Sequence, residues 1–254
     1  MRRAPFDTQS PLGLVSPFGR LSGGVGVVRA GLVGTSFATG SGEKATISVA
    51  TSGLADSPTL LMSVWFLRPT GAASFQIMLA NGGGFIWDLI PNIATGSLFS
   101  RLDNTNSDVY DSTNSPGNTI ADTWVHALYA YNRSTGARMR YINDVDKSSD
   151  TAGPTGFDLK LTAASLQLPP TGDTTTGFSM VYISTGFVDI TVEANRRKFI
   201  DALGKPVGLG ADGSLPTGVQ PEIFADDGNI GNNLGSGGNA TVTGAPTAIA
   251  GPGA

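Results

Sequence analysis

The run TLLMSVWFLRP, Thr59 to Pro69, constrains this chain more than any other stretch. Read at a period of two, Leu61, Ser63, Trp65 and Leu67 fall on one face, and Leu60, Met62, Val64 and Phe66 on the other. A strand apolar on both faces has to be covered on both sides, which places it in the middle of a sandwich. Pro69 and Gly71 end it. A second run, WVHALYAY, alternates in the same way: Trp124, His126, Leu128 and Ala130 share one face, Val125, Ala127, Tyr129 and Tyr131 the other.

The rest of the chain suits short strands. With 35 Gly and 15 Pro in 254 residues, long helices are disfavoured, because those residues cost about 1 and 3 kcal/mol in a helix interior. TISVA, SLFSRL and SLQL are strand candidates, and SFQIMLA with GFIWDLI forms a hairpin pair across Gly82–Gly84. A polar stretch, Asp103 to Asn118, interrupts the pattern. After the NRSTG turn, Met139 and Tyr141 share one face of a returning strand, and Arg138, Arg140 and Ile142 the other. Asn143-Asp144 fits a two-residue turn, since both residue types tolerate positive φ. GFSMVYISTGFVDI supplies the last central strands, and EIFA and ATVTG are short candidates near the C-terminus.

One helix is predicted, over TVEANRRKFIDALGKP. Thr191 is the N-cap candidate, Glu193 complements the dipole, and Gly204 with Pro206 stops it. Val192, Phe199, Ile200 and Leu203 form its apolar side, with Arg196, Arg197 and Lys198 toward solvent. Residues 1–44 alternate Pro and Gly with short apolar pieces, a composition that fits either a disordered tail or an arm ordered on a neighbour. Pro5, Asp7, Pro11 and Pro17 interrupt the apolar stretch a signal peptide needs, so the arm is expected to be kept on a protein made in the cytoplasm.

The net charge is −4 with no basic tract, which argues against a nucleic-acid partner. Cysteine is absent, so neither disulfides nor thiolate metal sites are available. No apolar run approaches the ~18 residues of a membrane span.

The stretch from Thr123 to Val145 resembles the laminin-G-like branch of the concanavalin-A-like jelly rolls. In that family a Trp-His-His-Val-Ala type strand leads through a short turn into one of Leu-Tyr-Val-Asn-Gly-Val type. Trp124 and His126 match the first, and Tyr141, Ile142, Asn143 and Val145 the second. Asp144 stands where the family has Gly, and Arg138 and Arg140 where it has apolar residues. The segment from Val188 to Ala245 is similar to a C-terminal extension on laminin-G-like proteins encoded by tailed bacteriophages and prophages. The matching parts are the helix with Arg196, Arg197 and Phe199, the GKPVGLGADGSLPTG loop, and LGSGGNATVTG. That resemblance implies a virion component.

Candidate chemistry is sparse. His126 lacks a cysteine partner or a GxSxG serine, and its place beside Trp124 fits a half-buried strand position with one ring nitrogen bonded locally. A glycosidase needs two carboxyls about 5–10 Å apart, whereas Glu43, Glu193 and Glu222 are the only glutamates and form no such pattern. Asp103 and Asp108 in DNTNSDVYD, and Asp226 and Asp227 in DDGNIGNN, lie in oxygen-rich stretches that suit calcium or plain turns. Trp87, Tyr110, Tyr129 and Tyr131 are candidates for a sugar-stacking platform, although alternation accounts for most of them as core.

The expected fold is an all-β, two-sheet antiparallel jelly-roll sandwich with one short C-terminal-side helix and Gly-rich arms. Its parts are an extended arm at 1–44, the jelly roll at 45–190, and a helix with a Gly-rich extension at 191–254 that packs on the sandwich or a neighbour. The expected role is non-enzymatic: a virion structural protein of decoration or fibre type, with no cofactor, needing neither nucleic acid nor membrane. Its partners would be capsid or tail subunits and copies of itself, met through Arg2, Arg3, Phe6, Phe18, Arg196 and Arg197. The alternative is a tail or adhesion module that binds host-surface glycans.

Overall fold

The computed structural model describes residues 32–38, 42–48, 51–67, 78–82, 85–92, 97–104, 108–115, 122–148, 155–156, 158–163, 165–169, 176–226 and 228–253, and between 78 and 115 the backbone alone. In chain order the strands are β1 (Val33–Phe37), β2 (Lys44–Ile47), β3 (Thr59–Leu67), β4 (Met78–Gly82), β5 (Phe85–Asn92), β6 (Ser97–Asn104), β7 (Asp108–Ser115) and β8 (Trp124–Asn132). They continue with β9 (Ala137–Ile142), β10 (Val145–Asp146), β11 (Ser165–Leu168), β12 (Thr176–Ser184), β13 (Ile223–Ala225), β14 (Thr241–Thr243) and β15 (Thr247–Ala250), with one helical turn, α1 (Glu193–Arg196), between β12 and β13.

These strands make two antiparallel sheets. Sheet 1 has the order β10-β9-β8-β3-β12-β1-β15, with β13 also paired to β12; sheet 2 has the order β14-β2-β11-β4-β5-β6-β7. β3 lies between β8 and β12, as its two apolar faces require. Leu60, Met62, Val64 and Phe66 of β3 meet Val125, Ala127, Tyr129 and Tyr131 of β8 in the core between the sheets, with Ala45, Ile47, Leu166 and Leu168 from sheet 2. Each large aliphatic or aromatic side chain among them contributes about 1.5–3 kcal/mol when fully buried.

The other face of sheet 1 is also closed. Leu61, Trp65, Leu128, Ala130, Met180 and Tyr182 pack against Ile190, Phe199, Ile200, Leu209 and Phe224, all from the chain after β12. The segment following the last long strand therefore folds back over the outer face as a third layer. A bulge in β12 serves this layer. Ser179 pairs with Trp65 and Tyr182 with Ser63, leaving one extra residue on β12, and Met180 takes φ 48°. Below the bulge β12 pairs with β1, and above it with β13.

The C-terminal strands tie the two sheets at one side. β1 belongs to sheet 1 and β2 to sheet 2; β15 pairs with β1 and β14 with β2. Trp124 fixes this strap, donating from Nε1 to Ala250 O at 3.2 Å. The strap and the indole pack closely because two strand residues are glycine. A Cβ on Gly34 would stand 2.6 Å from Trp124 Cη2, and one on Gly177 2.7 Å from Ile249 Cδ1.

Several expectations change. Val33–Phe37 is a strand of sheet 1 rather than part of an arm, because β12 and β15 pair with it on either side. The first strand candidate runs Lys44–Ile47 instead of Thr46–Ala50. Asp108–Ser115 is a strand paired with β6, where an interrupting polar stretch was read. Backbone pairing supplies its ladder, and an end strand needs no apolar face. The predicted helix shrinks to one turn. Val192 occupies the N-cap position with no side-chain bond, while Thr191 bonds to Asp189 Oδ1 through both its N–H and its hydroxyl. Leu203 is 84% exposed, and Phe199 and Ile200 are buried from a turn rather than from a helix face.

Gly34→Ala is expected to cost about 1–3 kcal/mol, as overpacking does, by driving a methyl into the Trp124 indole. In a double-mutant cycle measured by urea denaturation, that cost should shrink in a Trp124→Ala background. Equal costs in both backgrounds would refute the contact.

Candidate functional site

His126 is the natural place to look for chemistry. Its Nε2 lies 2.8 Å from Ser63 Oγ, the spacing of a nucleophile and its base. Burial removes that use: Ser63 is 1% and His126 0% exposed, and among the described residues Nδ1 meets no carboxylate or other hydrogen-bond partner. The ring stacks on Trp65 at 4.7 Å, and the backbone N–H of His126 donates to Asn143 Oδ1 at 2.9 Å. Burial pushes the imidazole pKa from 6.5 down to about 3, against a smaller upward pull from Asp144. This histidine is a neutral packing residue that one ring nitrogen anchors to β3.

Of the arginines expected to face a partner, Arg196 and Arg197 are used within the chain. Asn143 and Asp144 turn β9 into β10 with φ 49° and 63°, and the turn presents the Asp144 carboxylate. Arg196 Nε donates to Asp144 Oδ1 at 2.7 Å, and Arg197 NH1 lies 2.7 Å from Oδ2. Arg196 NH1 also donates to the carbonyls of Ile190 and Thr191, and its guanidinium stands 4.3 Å from the Tyr141 ring centroid. Arg197 NH2 reaches Glu193 Oε1 at 2.8 Å. Partial burial works against charge on Asp144, yet the bonds from Arg196 and Arg197 hold its carboxyl below the usual range. The cluster clamps the outer layer onto the β9–β10 turn. Arg140, inward in register, is likewise satisfied at home: its Nε donates to Lys147 O at 2.8 Å.

The carboxylates serve the fold too. Glu43 accepts from the backbone N–H groups of Ala38 and Ala245, and Glu222 from the N–H and hydroxyl of Thr185. Asp103 and Asp108 sit on the paired strands β6 and β7, where Asp103 faces Val109 and Asn104 faces Asp108. Asp226 is buried just after β13. No group of three or more His, Cys, Asp or Glu among the described residues could hold a metal ion. Tyr129 and Tyr131 lie in the inter-sheet core and leave the sugar platform; Trp87 and Tyr110 fall on β5 and β7. Arg2, Arg3, Phe6, Phe18 and Asp227 lie outside the described residues.

The ends of both sheets leave backbone open for contact. Sheet 1 ends at β10 and β15, and sheet 2 at β14 and β7. β14 and most of β15 are exposed, on a strap joined by Gly244–Pro246. Sequence reading picked out ATVTG but missed TAIA and the pairing of both with β1 and β2.

No family model matches the sequence, and no curated protein matches it. Solved structures do. The native heptameric SAP-like pentraxin from Limulus polyphemus aligns over 88% of this chain and 97% of its own, with TM-score 0.54 and 11% identity. The full extracellular region of zebrafish Gpr126/Adgrg6 aligns over 86% of this chain and 26% of that one, with TM-score 0.53 and 10% identity. The binding domain of botulinum neurotoxin serotype D aligns over 68% and 46%, with TM-score 0.46 and 14% identity. This chain thus spans about a quarter of the zebrafish chain and less than half of the neurotoxin chain. The likeness to the pentraxin and to the zebrafish region, at 11% and 10% identity, concerns the fold, and the fold is the two-sheet antiparallel jelly roll.

Two outcomes are expected. Asp144→Asn keeps a residue that tolerates the turn but removes the carboxylate that Arg196 and Arg197 share, leaving Arg197 only its pair with Glu193, a loss of about 1–3 kcal/mol on chemical denaturation; an unchanged midpoint would contradict the clamp. For His126, the unfolded chain takes up a proton below pH 6.5 while the folded chain does not until about pH 3. Stability should therefore fall on acidification, by about 1.4 kcal/mol per pH unit once the unfolded imidazole is charged. Between pH 7 and 5 carboxylates barely titrate, so denaturation curves of His126→Gln should lose that slope. A wild-type chain equally stable across this window would show that the ring accepts a proton in the fold.

Proposed function

We propose that this chain is a non-enzymatic structural component of a tailed-bacteriophage particle. It would be made in the bacterial cytoplasm and built into the virion as a head decoration or fibre-type subunit, in contact with capsid or tail proteins and with copies of itself. The observation that carries this reading concerns the segment after β12, the part that resembles the extension on phage-encoded laminin-G-like proteins. It is no loose appendage: it forms the outer layer over sheet 1 and an end strand of each sheet. A surface of strand edges and Gly-rich loops suits contact by shape and backbone bonds. The buried His126 and the internally bonded Glu43, Glu222 and Asp144 offer no reacting group there. The heptameric pentraxin gives an instance of this fold in a closed assembly.

A second reading is a tail or adhesion module that binds host-surface glycans. The occurrence of the fold in the zebrafish extracellular region supports surface contact of that general kind. Its sugar platform would have to exclude Tyr129 and Tyr131.

Particles purified from cells carrying the gene decide between them. Mass spectrometry and imaging of washed particles should find the chain in fixed stoichiometry on the head or fibres. Its absence from particles, together with selective binding on a glycan array, would replace the first reading by the second.

A further inference from the structure

β15 ends sheet 1, and no strand pairs with its outer side among the described residues, where Trp124 alone reaches in, to Ala250 O. Gly251 N donates to Leu32 O at 2.8 Å, and the register sets Ile249 opposite Gly34 and Thr247 opposite Ser36. Bonded and non-bonded pairs alternate along an antiparallel ladder. Thr247, Ile249 and Gly251 are therefore the residues that bond to β1, while Ala248 and Ala250 direct their N–H groups away from it. Ala250 O accepts from Trp124. Ala248, opposite Thr35 in a non-bonded pair, keeps both its N–H and its C=O for a further strand.

Edge strands are normally guarded by lysines, prolines or bulges. Pro246 and Pro252 flank this one, but between them it carries neither charge nor bulge: Thr247, Ala248 and Ala250 are exposed, and no Asp, Glu, Lys, Arg or His occurs from Gly228 to Ala254. Two such edges can approach without charge repulsion, and alanine side chains leave room between the backbones. Antiparallel pairing is also self-complementary when one residue sits on the axis. We propose that β15 is a contact between two copies of this chain, paired antiparallel about a two-fold axis at Ala248. Each Ala248 then exchanges both N–H···O=C bonds with its mate, and sheet 1 runs on into the second copy. The inference is independent of the virion reading, since the purified chain alone suffices to test it.

Ala248→Pro removes the outward N–H and no bond to β1, and proline is tolerated on an edge whose N–H faces solvent. Ala248→Lys, which keeps the N–H but adds charge, is the second variant. Sedimentation of the full chain over a concentration series should give a reversible dimer for the wild type. Its dissociation constant should rise about tenfold or more in both variants, with far-UV circular dichroism unchanged. Hydrogen exchange at the Ala248 amide should be slow in the dimer and fast in Ala248→Lys. A wild-type chain that sediments as a monomer throughout overturns the proposal, and so do variants that associate as tightly as the wild type. Slow exchange at Ala248 in a monomer would also overturn it, by showing that another segment of the same chain occupies the edge.

Discussion

The structure depends on one constraint: the central strands of sheet 1 are apolar on both faces. Sheet 2 covers one face. Without a second cover, Leu61, Trp65, Leu128, Ala130, Met180 and Tyr182 would meet water. At about 1.5–3 kcal/mol per large side chain, that loss is on the order of 10 kcal/mol, as large as the whole net stability of a typical domain. The cover is accordingly part of the folding unit. This explains why a segment rich in Gly and short of regular structure holds its place: Ile190, Phe199, Ile200, Leu209 and Phe224 anchor it.

The polar groups follow from the same constraint. A layer pressed on a sheet must neutralise whatever charge it covers, and Asp144 does this for Arg196 and Arg197 at the rim. His126, deeper under the layer, meets no carboxylate at Nδ1 among the described residues and stays neutral. His126, Arg196, Arg197 and Asp144, which look like chemistry in a one-dimensional reading, are thus consumed in holding layers together.

How much of this the sequence discloses depends on the kind of signal. Two-residue alternation is a local property, so the faces of β3, β8 and β9 and the positive-φ turn at Asn143-Asp144 could all be read directly. The role of Arg196 and Arg197 could not, because their partner lies some fifty residues away. One clue was present: an aspartate where the resembling family has glycine accepts a strained backbone angle, and such a position is worth a search for a charge partner. The helix reading failed for a related reason. The periodic apolar residues were real, but Phe199 and Ile200 are buried by packing on Tyr182 and its neighbours, which a tight turn satisfies as well as a helix. β7 and β15 carry too little hydrophobicity to announce themselves, since an edge strand is held by its ladder.

A third layer that belongs to the folding unit should not open on its own. Native-state hydrogen exchange tests this directly, by comparing the amides of Ile200, Val207 and Leu234 in the cover with those of Val64 and Leu128 in sheet 1. The account expects a single opening free energy for both groups, equal to that of global unfolding. Cover amides that exchange through a much cheaper local opening, while sheet 1 stays protected, would contradict it.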